Sequence, residues 1–320
     1  LTLTGRNDWA SQLANSSTSS FFYPSVGLSG VISEMIQMPS FIDYMKVRGS
    51  FSSVGMPYPR NLTSPTYEYN EATQSWKPKT HYPIGDLKPE RTDSWEVGLD
   101  MKLFKDFNLG LSWYLANTFN QTFDPQISVS SGYTTIYLQT GYVRNTGLEL
   151  SLGYGHTWNN NFRWDSNFTL SHNKNKIKEL VRDYVHPETG ELINKDRLDV
   201  GGLGKARFIL KEGGTLGDLY TQSDLKRDDN GMVDIDPTGI VAIENNLPDI
   251  KLGSVFPKAN LAWSNHFSWK GISLSALFTA RIGGIVYSAT EAAMDQYGVS
   301  ERSALARDNG GVLVNNRTLV

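Results

Sequence analysis

Cysteine is absent from the 320-residue chain. Its absence excludes disulfide frameworks, cysteine-ligated zinc, iron–sulfur centres and thiol nucleophiles together. An excess of positive charge is also missing, because 30 Lys and Arg residues stand against 33 Asp and Glu residues, for a net charge of −3. A nucleic-acid-binding protein would need a basic patch or tail, so we predict no nucleic-acid partner.

Long hydrophobic runs are missing as well. The longest strictly apolar runs, Trp113–Ala116 and Ile240–Ile243, have four residues each, whereas a membrane-spanning helix needs roughly 20. A transmembrane β-barrel stays compatible with this sequence, because its apolar side chains occupy only every second position. No secretory leader precedes the alternating pattern that starts at Leu1, and we expect the chain to be a piece of a longer protein.

Motifs of catalysis and metal binding are scarce. The five histidines show no HExxH spacing, and no G-x-S-x-G segment occurs. An EF-hand with Gly231 at its sixth position would begin at Lys226 and end at Pro237, where Asp and Glu are needed. We therefore interpret Asp228–Gly231 as a solvated acidic turn, with calcium binding as the open alternative. We predict no enzyme, no cofactor and no metal site, although paired carboxylates of the glycosidase type stay open.

Apolar and polar residues alternate over six long stretches of the chain, the period of a β-strand with one apolar face. Because a one-residue shift would invert both faces, this pattern also determines the pairing register. The stretches are Ser94–Leu103, Phe107–Ala116, Gly147–Tyr154, Arg163–Leu170, Ala259–Trp269 and Ile272–Ile282. The apolar face carries no charge, and the charged residues of the opposite face are Glu96, Asp100, Lys102, Glu149, Arg163, Asp165 and Arg281.

The lengths of strands and connections favour a membrane barrel over a soluble sheet. Membrane strands need about 9–11 residues, whereas strands of soluble proteins average about 5–6. Short turns at 104–107, 158–162 and 269–271 alternate with long connections at about 55–92, 121–140 and 176–256. This alternation is typical of outer-membrane barrels. Three less regular strands are predicted at Leu1–Arg6, Tyr23–Ser33 and Tyr44–Val54, for about nine in all.

Aromatic residues gather at the ends of the strands that the short turns join. An interfacial girdle at the membrane surface explains this placement, and ordinary packing at hairpin ends is the alternative. The residues are Phe104, Phe107, Trp158, Phe162, Trp164, Phe267 and Trp269.

Five short motifs, in order along the chain, resemble those of the SusC/RagA-like TonB-dependent outer-membrane transporters. The longest, Leu87–Asp100, is similar to the family's L-K-P-E-R-T-x-x-x-E-x-G-L-D signature. The others are Phe22–Val26, Lys46–Phe51, Asn145–Leu150 and Gly253–Gly284. One departure from the family pattern lies after Gly231, where the second D-G of an Asp- and Gly-rich loop is missing.

The resemblance implies an all-β fold, an antiparallel transmembrane β-barrel with long extracellular loops and short periplasmic turns. Residues 1–320 would be about nine strands of a plugged barrel of about 22 strands. The plug domain, signal peptide and final strands would lie outside this chain. The implied function is TonB-dependent import of oligosaccharides or peptides across the outer membrane. Its partners would be a SusD-like surface lipoprotein, the TonB complex and outer-membrane lipid.

Two other classes of protein stay open. A β-sandwich, soluble or attached to the cell surface, could use a one-sided sheet as its core and act as a carbohydrate-binding or adhesion module. A passive porin would share the barrel but lack the plug.

Two sets of residues are candidates for function. Aromatic residues of the first long connection could stack on sugar faces or bury peptide side chains, unless they pack within the loop or against a neighbouring protein. They are Tyr67, Tyr69, Trp76 and Tyr82. The seven charged residues of the polar face would hold the plug or line the solute path, with a merely wet interior surface as the alternative.

Overall fold

A computed structural model describes residues 1–56, 62–63, 67–77, 81–82, 86–124, 133, 135–159, 161–185, 190, 192–235, 240–314 and 317–319. Antiparallel β-strands dominate it. The strands are β1 (Thr2–Trp9), β2 (Ser20–Val31), β3 (Ile42–Met56), β4 (Glu68–Asn70), β5 (Ser75–Lys77), β6 (His81–Tyr82), β7 (Glu90–Leu103), β8 (Phe107–Phe123), β9 (Thr135–Ile136), β10 (Leu138–Thr157), β11 (Phe162–Glu179), β12 (Val181–Val185), β13 (Leu192–Lys195), β14 (Arg197–Leu203), β15 (Ala206–Lys211), β16 (Asp218–Leu225), β17 (Ile243–Ser254), β18 (Ala259–Trp269), β19 (Ile272–Ile282), β20 (Val312–Val314) and β21 (Arg317–Leu319). The helices are the 3₁₀ turn Ser11–Leu13 and α1 (Ile32–Met35), α2 (Ala289–Gln296) and α3 (Glu301–Asp308).

Nine long strands form one antiparallel sheet in the order β1-β2-β3-β7-β8-β10-β11-β18-β19. Six of them are the strands that the alternation predicts, and β1, β2 and β3 are the three less regular strands predicted near the start of the chain. The register pairs the apolar faces across the sheet, as a row of leucines illustrates. Cross-strand pairs join Leu99 to Leu111, Leu111 to Leu150, Leu150 to Leu170 and Leu170 to Leu261. One face of the sheet is therefore apolar over at least five neighbouring strands.

Several strands are longer than the sequence pattern indicates. β8 has 17 residues and β10 has 20, whereas the clean alternation covers only Phe107–Ala116 and Gly147–Tyr154. At about 3.3 Å per residue, a 20-residue strand exceeds the ~30 Å of a bilayer core even when it is tilted. Most of the added residues lie at the ends next to the long connections, where the ladder of backbone hydrogen bonds continues.

Short and long connections alternate from one end of the sheet to the other. β18 and β19 are joined by the two residues Lys270 and Gly271, whose φ angles of 47° and 85° fit a type I′ hairpin turn. The turns at 104–106 and 158–161 and the α1 connection at 32–41 lie at the same end. The opposite end bears the connections at 10–19, 57–89, 124–137 and 180–258.

The chain folds as two compact units, of which the first contains the nine-stranded sheet. It comprises Leu1–Leu198, Leu210–Leu216 and Phe256–Gly284, and the second unit comprises Asp199–Ile209, Gly217–Val255 and Ile285–Val320. Within the described residues, no helix has the length and apolar character needed to cross a membrane.

The second unit contains most of a four-stranded sheet in the order β14-β15-β16-β17. The fully buried carboxylate of Asp218 accepts a 2.5 Å hydrogen bond from Lys251. Arg207 binds Asp199 through two nitrogens at 2.7 and 2.9 Å. Two ion pairs therefore join strands of this sheet. The sequence pattern did not predict the sheet.

Candidate functional site

An arginine on the polar face of the nine-stranded sheet connects three neighbouring strands. Arg48 of β3 binds Glu96 at 3.0 Å and Asp100 at 3.1 Å, both on β7, and Ser112 of β8 at 2.5 Å. These groups converge because Arg48 pairs with Gly98, which pairs with Ser112 in turn. Gly98 lacks a side chain, and a Cβ atom built there would lie 2.6 Å from Nε of Arg48. The glycine thus gives the guanidinium room to lie across the sheet.

Arg48 is a site residue that the sequence reasoning did not select. The sequence feature that indicates Arg48 is the Lys46-Val47-Arg48 segment, where two cations alternate with an apolar residue. The surrounding strand β3 alternates less cleanly than its neighbours, so its polar face was harder to recognise. The structure assigns Arg48 to the same face as Glu96 and Asp100 by register.

A depression of about 620 Å³ opens on this polar face. Its lining includes Arg48, Asp100, Glu149 and Arg281, which come from β3, β7, β10 and β19. Small residues such as Thr169 line the surface between them. Because side chains from such distant strands border one cavity, the sheet is concave on its polar side. Three of the seven predicted charged residues therefore line a common concavity.

The other predicted charged residues are not in this lining. Glu96 reaches the group through Arg48. Arg163 and Asp165, two positions apart on β11, form a bidentate pair with both distances at 2.6 Å. Lys102 forms no ion pair with any residue that the structure describes. The charged face thus contains a cluster around Arg48 and a separate local pair on β11.

The aromatic residues at the short-turn end form a continuous row on the apolar face. Ring centroids are separated by 4.8 Å between Phe107 and Tyr154, by 5.2 Å between Tyr154 and Trp164, and by 5.9 Å between Trp164 and Phe267. Three of the rings belong to the predicted girdle set, and Tyr154 joins them. Rings with an apolar body and a polar edge suit the boundary between lipid and water.

The four predicted loop aromatics divide into separate groups. Tyr69 and Trp76 pair across the β4–β5 hairpin with centroids 5.1 Å apart and stay 47% and 65% exposed. Tyr82 instead packs edge-on against Tyr133 at 5.2 Å. Tyr67 is 67% exposed. The two rings are tilted by 59° to each other, and each exposes an apolar face of the kind that can stack on a sugar ring or an apolar side chain.

A small core anchors the connections at the long-loop end. Leu13, Leu62 and Leu87 come from three separate parts of the sequence and are at most 2% exposed. Their contacts tie the connection between β1 and β2 to the residues before β7. Phe21 and Tyr137 pack against the same cluster.

Hydrogen bonds reinforce this anchor around the Leu87-Lys88-Pro89 part of the longest motif. The backbone of Lys88 exchanges two 3.1 Å hydrogen bonds with the side-chain amide of Gln139. Asp86 accepts hydrogen bonds from the backbone N–H of Ser17 at 2.8 Å and from its hydroxyl at 2.9 Å. These bonds, the backbone bond first, lower the pKa of the Asp86 carboxyl. The motif therefore has a structural role in holding the loops.

The acidic segment near Gly231 forms a closed turn. One carboxylate oxygen of Asp228 accepts the backbone N–H groups of Asn230 and Met232, at 2.9 and 3.0 Å. Arg227 donates to the carbonyl of Gly231 at 3.0 Å. The carboxylate thus stabilises its own turn by accepting backbone hydrogen bonds, as in an Asx turn. No group of three or more metal-ligating side chains occurs among the described residues.

The sheet, its short turns and its concave polar face define the class of protein, a segment of an antiparallel outer-membrane β-barrel. The sequence matches the family described as "TonB dependent receptor-like, beta-barrel" over residues 1–229. The chain belongs to this family, whose members are transport receptors of the outer membrane and not enzymes. The predicted membership of the TonB-dependent outer-membrane receptors is therefore confirmed.

Three known proteins illustrate the similarity. TonB-dependent receptor P26 of Formosa agariphila is 26% identical over 313 residues, covering 90% of this chain and 30% of the relative. TonB-dependent receptor P39 of the same organism is 28% identical over 211 residues, covering 63% and 18%. The solved RagAB peptide transporter matches with a TM-score of 0.64 and 21% identity, covering 87% and 31%. This chain therefore spans less than a third of the length of each.

Proposed function

We propose that this chain is the partial barrel domain of a TonB-dependent importer that takes up oligosaccharides or peptides across the outer membrane. The proposal rests on the sheet, which has a concave polar face and an apolar opposite face. The chain also belongs to this receptor family. In a barrel, the concave polar side becomes the lumen and the convex apolar side contacts lipid. The barrel performs no covalent chemistry in this account.

Residues 1–320 would form one part of the barrel wall. Nine strands are too few for a wide plugged barrel, which has about 22. Within the described residues, β1 and β19 each have a single neighbouring strand, and an unpaired strand edge inside a membrane is energetically unfavourable. We therefore propose that further strands and a plug are supplied by other parts of the intact protein.

The lumenal charges have a role in this proposal. Arg48, Glu96 and Asp100 would contact the plug or the passing solute, because they are partly exposed, Arg48 and Asp100 line the concavity, and Glu96 binds Arg48. The exposed Tyr69 and Trp76 would bind solute at the extracellular side. Aromatic surfaces bind both sugar rings and apolar side chains. The proposal therefore includes both oligosaccharides and peptides as substrates.

A SusD-like surface lipoprotein is the proposed partner at the long-loop end. The RagAB structure, described as a peptide transporter, supports this choice by its likeness in fold to the present chain. A lipoprotein of this kind would cover the extracellular mouth. TonB would act on the plug from the periplasm.

The test is purification of the intact parent protein from an outer-membrane fraction in mild detergent, followed by mass spectrometry. We expect a stoichiometric lipoprotein and a bound oligosaccharide or peptide. Recovery of the protein alone in the membrane would favour a porin, and recovery from the soluble fraction would favour a β-sandwich module.

Energy coupling is tested separately, by measuring uptake of the identified solute in cells with and without a proton-gradient uncoupler. An importer driven through TonB loses accumulation when the gradient collapses. A passive porin continues to equilibrate the solute across the membrane, and that result would contradict the proposal.

A further inference from the structure

Three cations lie together on the outward, apolar side of the sheet, at the long-loop ends of β10 and β11. Arg144 is at an even position of β10, on the same side as Leu148 and Leu150. Lys174 and Lys176 are at even positions of β11, on the same side as the outward Trp164 and Leu170 of that strand. The two lysines are exposed. This group, Arg144 with Lys174 and Lys176, is called the outward basic patch.

The height of the patch coincides with a membrane surface. Lys174 follows Trp164, a member of the aromatic row, by ten positions along β11. At about 3.3 Å per residue and a tilt of about 40°, ten positions rise ~25 Å, the height of the apolar band of an outer-membrane barrel. The aromatic row is at the short-turn end, so the patch lies at the opposite boundary, next to the long extracellular loops.

Folding alone does not account for the patch. Arg144 and Lys176 are direct cross-strand partners, and like charges in directly opposite positions destabilise a sheet. None of the three cations forms an ion pair with another described residue. The carboxylate of Asp93, two strands from Arg144, is engaged by Arg91 at 2.5 Å. An external anion would relieve the repulsion.

Arg144 is also held in position for such an anion. Its Nε donates to the side-chain oxygen of Asn117 at 2.8 Å, and one terminal nitrogen contacts the Tyr142 hydroxyl at 2.5 Å. The Tyr142 hydroxyl donates to the same Asn117 oxygen at 3.0 Å. The second terminal nitrogen has no hydrogen bond with any described residue. A guanidinium oriented by neutral partners keeps its charge for an external ligand.

We propose that the outward basic patch binds the phosphate groups of anionic lipids in the outer leaflet. Arginine and lysine recognise phosphate through charge-assisted hydrogen bonds. At the boundary of the hydrocarbon region, lysine stems pack along lipid chains while their ammonium groups reach the headgroups. This property is independent of the transported solute and of the proposed importer function.

The experiment measures lipid binding to the intact parent protein by native mass spectrometry. Detergent micelles are doped with phosphatidic acid or, as the uncharged comparison, with diacylglycerol of the same acyl chains. The patch variant is Lys174→Gln with Lys176→Gln. The matched control, Lys105→Gln with Lys270→Gln, removes the same charge from exposed lysines in the short turns at the other end.

We expect the wild-type protein and the control to retain phosphatidic acid in preference to diacylglycerol. The patch variant should bind phosphatidic acid at least ~10-fold more weakly, because each surface cation contributes about one order of magnitude or slightly less. Equal binding by all three proteins, or equal loss in both variants, would overturn the proposal. Loss of a co-purified acidic protein with unchanged lipid binding would also overturn it.

A second measurement separates binding from folding. In bilayers of uncharged lipid, Lys176→Gln should leave the unfolding midpoint unchanged or raise it, because repulsion with Arg144 is removed. In bilayers that contain phosphatidic acid, the same change should lower the midpoint relative to wild type. A lowered midpoint in both bilayers would indicate a purely structural role and contradict the proposal.

Discussion

Replacement of a leucine in the middle of the apolar face tests which solvent that face contacts. Leu111 lies in the leucine row, between Leu99 and Leu150, and is 36% exposed. Along β8 it lies four positions from Phe107 in the aromatic row. At about 3.4 Å per residue and a tilt of about 40°, the depth below that boundary is ~10 Å, near the middle of a 25 Å band.

The Leu111→Arg variant should therefore lose about 2–4 kcal/mol of unfolding free energy in a bilayer, the range for arginine near the midplane of a barrel. This loss corresponds to a change of roughly 30-fold to 1,000-fold in the unfolding equilibrium constant. The assay is reversible urea unfolding of the intact protein in lipid bilayers, followed by tryptophan fluorescence.

Thr169→Arg is the matched control for this variant. Thr169 is next to Leu170 of the same leucine row but lines the concavity of the polar face. Arginine there should cost less than about 1 kcal/mol, because the lumen of a barrel is polar and hydrated. Equal losses for the two variants, or a loss below about 1 kcal/mol for Leu111→Arg, would refute the assignment of the apolar face to lipid.

Three further predictions concern the charged and aromatic groups. Arg48→Gln should lower unfolding free energy by about 1 kcal/mol in low salt and less in 1 M salt, since its two carboxylate partners are half exposed; a salt-independent loss would contradict this. Trp76→Ala should weaken solute binding about tenfold without changing the unfolding midpoint, while the outward Trp263→Ala leaves binding unchanged; loss of binding in both variants would exclude a specific role. Because the pKa of Asp86 is lowered in the folded protein, the ionised carboxylate stabilises the loop fully above the ordinary carboxyl pKa of about 3.9. This stabilisation is lost as the pH falls through the lower pKa of the folded state. Hydrogen exchange at the Ser17 amide should therefore accelerate only below about pH 3.9, and Asp86→Asn should remove this pH dependence.

The membrane-facing half of each strand was predictable, and the loop-facing half was not. Along β10, alternation is clean at Gly147–Tyr154, where one side contacts an apolar phase and the other a polar one. Beyond Asn145 the strand continues for seven residues to Leu138. Both faces there carry polar side chains, including Arg144, so the period-two signal disappears although the backbone ladder persists.

The structure inside the longest connection was missed for a different reason. β14–β17 are short or irregular strands, and their buried residues, such as Ile209 with Leu210 and Leu219 with Tyr220, are adjacent in sequence and do not alternate. The helices were in part recognisable. Ser288 accepts the backbone N–H of Glu291 at the start of α2, and Ser-x-x-Glu is a sequence signature of a helix N-terminus.

The candidate site, too, was predictable only in part from the sequence. Residue parity predicted that Glu96, Asp100 and Glu149 share a face, because a strand has only two faces. Parity could not predict that Arg48 bridges two of these carboxylates, since this contact depends on the pairing of β3 with β7 and on the space above Gly98. Long-range pairing of irregular strands is decided by tertiary structure.

The most direct test of the two-sided sheet uses the absence of cysteine from this chain. Leu150→Cys and Ser151→Cys, adjacent on β10, are labelled with a small fluorophore in the intact protein and reconstituted into bilayers. Brominated lipid should quench the label at position 150, and aqueous iodide should quench the label at position 151. Failure of brominated lipid to quench position 150, or equal lipid quenching at both positions, would contradict the barrel account.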